Sequence, residues 1–206
     1  MNTKKLTGYS ALLTLALASM AQAQAVKTWT AGAGDFYLGS NWDSGNVPGV
    51  TDVAVINNAG IATIGVTAGD RQLGAFRLGI TEGSTEAGHV VMNGGFLKVG
   101  GTEGDPKGVI GLSSVLSTFV LNGGTIYFDC PECFPGSKGD DGLNGLDWEV
   151  GEKGLGRFEM HNDAIFRAGD DIKVGANALG NGYVLLDGNA WASVGSGVSV
   201  SEGGPN

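Results

Sequence analysis

The feature that most constrains this chain is a near-repeat. "HVVMNGGFLKV" runs from His89 to Val99, and "TFVLNGGTIYF" follows at Thr118 to Phe128. The same apolar–polar–glycine order returns twice more, in changed form. Met92, Leu121, Met160 and Leu186 each precede a polar corner residue, namely Asn93, Asn122, His161 and Asp187. Two residues before each anchor stand Val90, Phe119, Phe158 and Val184. A few residues after come Leu97, Ile126, Ile165 and Trp191, which the spacing reads as equivalent. A second series, "FRLG", "VIG", "WEVG", "IKVG" and "VSVS", ends its apolar run at Leu78, Ile110, Val150, Val174 and Val200. The two series alternate, so the chain uses one unit about four times. The last intervals of the second series are 24 and 26 residues, and the earlier 32 and 40 are the same unit with inserted loops.

Within each run the side chains alternate. Phe158 and Met160 point one way and Glu159 and His161 the other; Trp148 and Val150 flank Glu149, as Ile172 and Val174 flank Lys173. Period two is the pattern of half-buried strands. One unit holds roughly three short strands of about 5 residues. It cannot bury its apolar face without neighbours. The expected fold is all-β, a right-handed parallel β-helix (β-solenoid) of about four to five coils. The left-handed hexapeptide type fits less well, and the calcium-binding nonapeptide repeat is absent. Glycine supports this reading: 38 residues against only 5 prolines suits tight turns rather than collagen. "LNGG" is then a corner. As a phosphate loop it lacks a following helix and a Lys-Ser/Thr pair.

Residues 1–23 read as a secretory signal. Lys4 and Lys5 precede the apolar "ALLTLALA", and "AQA" ends at Ala23, with cleavage expected before Gln24. No later stretch is apolar enough to span a bilayer. The net charge of −9 becomes −11 without those two lysines. Such a chain repels phosphate backbones, which disfavours nucleic acid as a partner. The domain reading is a signal at 1–23, capping strands at 24–64, and solenoid repeats at 65–206 with a loop inserted at about 129–147.

The inserted loop holds Cys130 and Cys133 as "CPEC". The best reading is a small structural disulfide in an exported chain. A thioredoxin-type site needs a helix N-terminus, and a zinc site needs further ligands. Asp140, Asp141, Asn144 and Asp147 are candidate oxygen ligands for calcium, but their spacing matches no established calcium loop and a solvated acidic loop is preferred. No other cofactor is expected. Gly136, Gly139, Gly142 and Gly145 fall three apart, too few for a collagen triple helix.

Two groups of residues have a functional reading beside a structural one. Trp29, Phe36, Tyr37 and Trp42 offer ring faces on which a sugar can stack. The preferred alternative is that they cover the open first coil. Glu149, Glu159, His161 and Lys173, with Arg167, Asp170 and Asp171 nearby, place acids and bases on exposed strand faces. A polysaccharide lyase or hydrolase could use them. Stacking predicts one outward row of Arg77, Val109, Glu149, Lys173 and Ser199. Opposite charges on neighbouring strands also simply support a sheet, and that reading is preferred.

The opening segment carries a resemblance. Trp29, Gly32, Gly34, Asn41-Trp42, Gly45, Pro48 and "DVAVI" at Asp52 to Ile56 resemble the start of large bacterial surface β-solenoid proteins. These are autotransporter passengers with associated β-strand repeats and exported proteins with a C-terminal sorting tail. The glycine-corner units from Leu78 to Gly204 resemble their repeats. The resemblance implies an exported structural or adhesive protein, or the N-terminal part of one, secreted or at the surface of a Gram-negative-type bacterium. Its expected partners are extracellular polysaccharide or other cell-surface components, and catalysis is not expected. The sequence departs from the pattern at "SVSEGGPN", where it stops inside a unit with no barrel, sorting helix or polar cap. Either the solenoid continues in a longer protein or the last coil is open, and open strand edges invite end-to-end self-association.

Overall fold

The computed structural model describes residues 25–65, 71–79, 85–100, 108–128, 147–169, 171–195 and 197–200. The signal segment, both cysteines, Asp140, Asp141, Asn144 and Asp170 lie outside these.

The described chain is a β-solenoid. Strands β1 (Ala25–Thr28) and β2 (Ala33–Asp35) come first. Five coils of three strands follow. They are β3 (Asp52–Ile56), β4 (Ile61–Ile64) and β5 (Arg71–Leu73); β6 (Ala75–Leu78), β7 (His89–Met92) and β8 (Phe96–Val99); β9 (Gly108–Ile110), β10 (Ser117–Leu121) and β11 (Thr125–Phe128); β12 (Trp148–Val150), β13 (Leu155–Met160) and β14 (Ile165–Ala168); and β15 (Ile172–Val174), β16 (Asn181–Leu186) and β17 (Trp191–Val194). β18 (Val198–Val200) closes the series. Equivalent strands stack in parallel into three sheets, ordered β1-β3-β6-β9-β12-β15-β18, β2-β4-β7-β10-β13-β16 and β5-β8-β11-β14-β17. β3 and β4 already belong to these stacks, so the first full coil begins inside the segment read as capping strands.

Register follows the two apolar series. Ile64, Met92, Leu121, Met160 and Leu186 pair in sequence, as do Ile56, Leu78, Ile110, Val150, Val174 and Val200. The corner after each anchor repeats one bond. The amide N–H of Asn93, Asn122, His161 and Asp187 donates to the anchor carbonyl of the preceding coil, at 2.8, 2.8, 2.9 and 3.0 Å. The other corner is glycine: Gly79, Gly111, Gly151 and Gly175 follow the second series with φ of 63, 86, 68 and 67°. L side chains rarely adopt that left-handed region, so glycine marks the turn. Gly95 and Gly124 hold φ of 83 and 88° at the "NGG" corners.

One equivalence differs from the sequence reading. Leu97 and Ile126 pair with Phe166 and then Ala192, not with Ile165 and Trp191. The corner from His161 to Ala164, with Asn162 at φ 57°, holds one residue more than Asn93-Gly94-Gly95. A one-residue shift exchanges the faces of a strand. Phe166 is therefore buried, and Ile165 and Trp191 are exposed.

The core is one continuous cluster along the stack. Aromatic rings run through it: Phe36 to Phe76, Phe76 to Phe119, and Phe119 to Trp148 and Phe158, with centroids 5.5–6.4 Å apart. Trp148 also meets Phe128 and Phe166 edge-on at 5.2 and 5.1 Å. At the first end, Trp29 and Trp42 form an antiparallel bridge and cross edge to face at 5.2 Å. The Trp42 indole N–H donates to the Phe36 carbonyl at 2.8 Å. At the other end, β16, β17 and β18 are the edge strands, and Leu186 and Val200, the last members of the two series, are exposed.

Candidate functional site

The outward side chains fall into three groups, one on each sheet. On the seven-stranded sheet, Arg77, Val109, Glu149, Lys173 and Ser199 form the expected row by register. Its middle is not open, because Val109 and Glu149 are buried. Lys173 pairs with Asp147 through Nζ and Oδ2. The bond to Asp147 raises the lysine's pKa, burial opposes it, and the charges of Asp147, Glu149 and Asp171 add to the rise. A lysine held protonated in this way anchors carboxylates and is a poor proton acceptor. An open cleft of about 470 Å³ lies beside it, lined by Glu149, Glu152, Lys173, Ala176, Asn177, Ser199 and Val200.

On the six-stranded sheet, His161 sits between two carboxylates. Its Nε2 is 3.0 Å from Glu159 Oε2 and its Nδ1 is 2.9 Å from Asp187 Oδ1. The hydrogen bond to Asp187, then that to Glu159, raises the His161 pKa against a smaller effect of burial. Arg157 contacts Glu159 Oε1 and lies 5.1 Å over the Tyr183 ring. Glu159 and His161 therefore meet, and Glu149 and Lys173 are neighbours in register, with the lysine bonded to Asp147. The two pairs stand on different sheets, so the four candidate catalytic residues do not converge. The Lys173–Asp147 and His161–Asp187 contacts link neighbouring coils, the supporting role weighed from the sequence, whereas the contacts of Glu159 with His161 and Arg157 stay within one coil.

On the five-stranded sheet lies a group that sequence reasoning missed. Phe96 and Tyr127 stack with centroids 6.0 Å apart. The Arg167 guanidinium lies 4.9 Å over the Tyr127 ring and 6.0 Å from the Trp191 ring. These four side chains come from β8, β11, β14 and β17, one per coil. The alternation of "TIYF" could have placed Tyr127 outside. Trp191 was hidden by the extra corner residue, which made it look inward.

The N-terminal aromatics are elsewhere. Trp29 and Trp42 are 1% and 2% exposed, Phe36 is fully buried, and Tyr37 is half-buried against the core. This corrects the sugar-platform reading for Trp29 and Trp42: rings packed edge to face inside a core have no free face for a sugar. Of the calcium candidates, Asp147 is described, and its Oδ2 is taken by Lys173. Among the described residues no group of three or more His, Cys, Asp or Glu is arranged to hold a metal ion. Among them, too, no helix is long and apolar enough to cross a membrane.

No family model, no curated protein and no solved structure matches this chain. The likeness to bacterial surface solenoids rests on the residues quoted above.

Proposed function

We propose that this chain is an exported structural or adhesive β-solenoid, by itself or as part of a larger cell-surface protein. The observation that carries the reading is the register. Five coils stack in unbroken pairing, so outward groups recur in rows about 4.8 Å apart along three sheets. Rows of that kind suit a surface that meets an extended partner at many weak points. The signal-like residues 1–23 and the resemblance of the opening segment to bacterial surface proteins support export.

Two measurements test this. Antibody detection in fractions of the source cell should find the chain outside the cytoplasm. Beads coated with the purified protein should adhere to the outer surface of those cells. A chain confined to the cytoplasm, or coated beads that adhere no better than bare ones, would overturn the proposal.

A further inference from the structure

We infer that the outer face of β8, β11, β14 and β17 binds an acidic polysaccharide, with Arg167, held over the Tyr127 ring, taking a sugar carboxylate and half-exposed Trp191 taking a ring face. The inference rests on the adhesive reading and names its partner. Strand alternation and register make the outer positions of this face Phe96, Lys98, Thr125, Tyr127, Ile165, Arg167, Trp191 and Ser193. They include two cations and no carboxylate, in a chain whose net charge is −9. At the corners leading into β14 and β17, Asp187 is engaged with His161, and Asp163 accepts a hydrogen bond from the Asn189 side chain.

Arg167 is the decisive residue. It is exposed, flanked by aromatic rings from the coils before and after, and has no carboxylate partner among the described residues. Rings on either side fix the guanidinium while leaving its N–H edge unspent. A guanidinium in that state is suited to a bidentate bond with a carboxylate. Trp191 is 50% exposed and Ile165 is also exposed, which places apolar surface beside the charge. A uronic acid unit presents both features, a carboxylate on the edge of a ring with apolar faces. The face runs along the stack axis, so a linear polymer can lie over several coils. A protein partner would more often meet the broad apolar core and polar rim of a folded interface; this strip is narrow and linear.

The test is affinity electrophoresis of the purified protein in gels containing polygalacturonate or a neutral galactan, with melting temperature measured alongside. Polygalacturonate should retard the protein, less so at high salt, and galactan should retard it little. Arg167→Gln and Trp191→Ala should each weaken retention by about ten-fold without loss of folding. Arg157→Gln, a cation on another face, should leave it unchanged. No retention by polygalacturonate, equal retention by galactan, or retention that survives both substitutions would overturn the inference. Beads that adhere to cells but proteins that ignore polygalacturonate would mark this partner as wrong while the adhesive reading stood.

Discussion

His161 on the fourth coil and Asp187 on the fifth are joined by a 2.9 Å contact between Nδ1 and Oδ1. It lies at the corner where, two coils earlier, the Asn122 side-chain amide donates to Asn93 Oδ1 at 2.9 Å. The polar residues that follow the apolar anchors thus form inter-coil links, but only the later link titrates. His161 can donate to both Asp187 and Glu159 only when both ring nitrogens carry protons. Its folded pKa is raised above the ordinary 6.5, first by Asp187 and then by Glu159. The link's contribution is therefore complete below about pH 6.5 and is lost as pH rises through the folded pKa. Hydrogen exchange in β16 should be faster, relative to β10, at pH 9 than at pH 6. In His161→Gln that difference should disappear; a difference of unchanged size would contradict the link.

His89 should behave oppositely. Burial lowers its pKa, and Nδ1 lies 2.9 Å from Thr118 Oγ1. A histidine kept neutral by folding contributes stability above its unfolded pKa of about 6.5, and loses it as pH falls through that range. Thermal melts between pH 7 and pH 5 should show a smaller drop in His89→Gln than in the parent. An identical drop would show that protonation of His89 is not resisted by the fold.

Gly151→Ala tests the glycine corner. The residue sits at φ 68°, and an added Cβ would lie 2.4 Å from the Asn181 carbonyl. The left-handed conformation alone costs about 1–3 kcal/mol, and the overlap adds to it. Gly32→Ala, where an added Cβ meets nothing within 4 Å, should change stability by less than about 0.5 kcal/mol. Urea unfolding of the two variants should separate them clearly.

Trp42→Ala and Trp191→Ala should differ as a core residue differs from a surface one. Trp42 packs against Trp29 and Phe36 and donates to a buried carbonyl, so its loss should cost about 3–5 kcal/mol. Loss of half-exposed Trp191 should cost less than about 1 kcal/mol. Comparable losses would contradict the assignment of Trp42 to the end plug and Trp191 to an outer face.

The architecture was legible because a solenoid writes its register into the sequence. Leu78, Ile110, Val150, Val174 and Val200 could be aligned by eye, and the sheet pairs them in that order. The failure at Ile165 and Trp191 has a local cause. Corners differ in length, since a left-handed Asn162 can do what two glycines do earlier, and period-two patterns carry no memory of phase across a corner. That single slip also hid the aromatic–arginine strip. The Glu149–Lys173 and Glu159–His161 neighbours were legible from alternation and stacking. Their assignment to different sheets was not, because alternation tells in from out but not which of three faces is outward. The burial of Trp29 and Trp42 followed from the need to cover a solenoid end.

The measurement closest to the central claim is incubation of the purified protein with acidic and neutral polysaccharides, scoring retained protein and new chain ends in the same samples. An adhesive role with the acidic partner inferred above predicts retention on the acidic polymer with no growth in chain ends. New ends that accumulate with time and vanish in Glu159→Gln would contradict it, and would make the His161–Glu159 face a catalytic one.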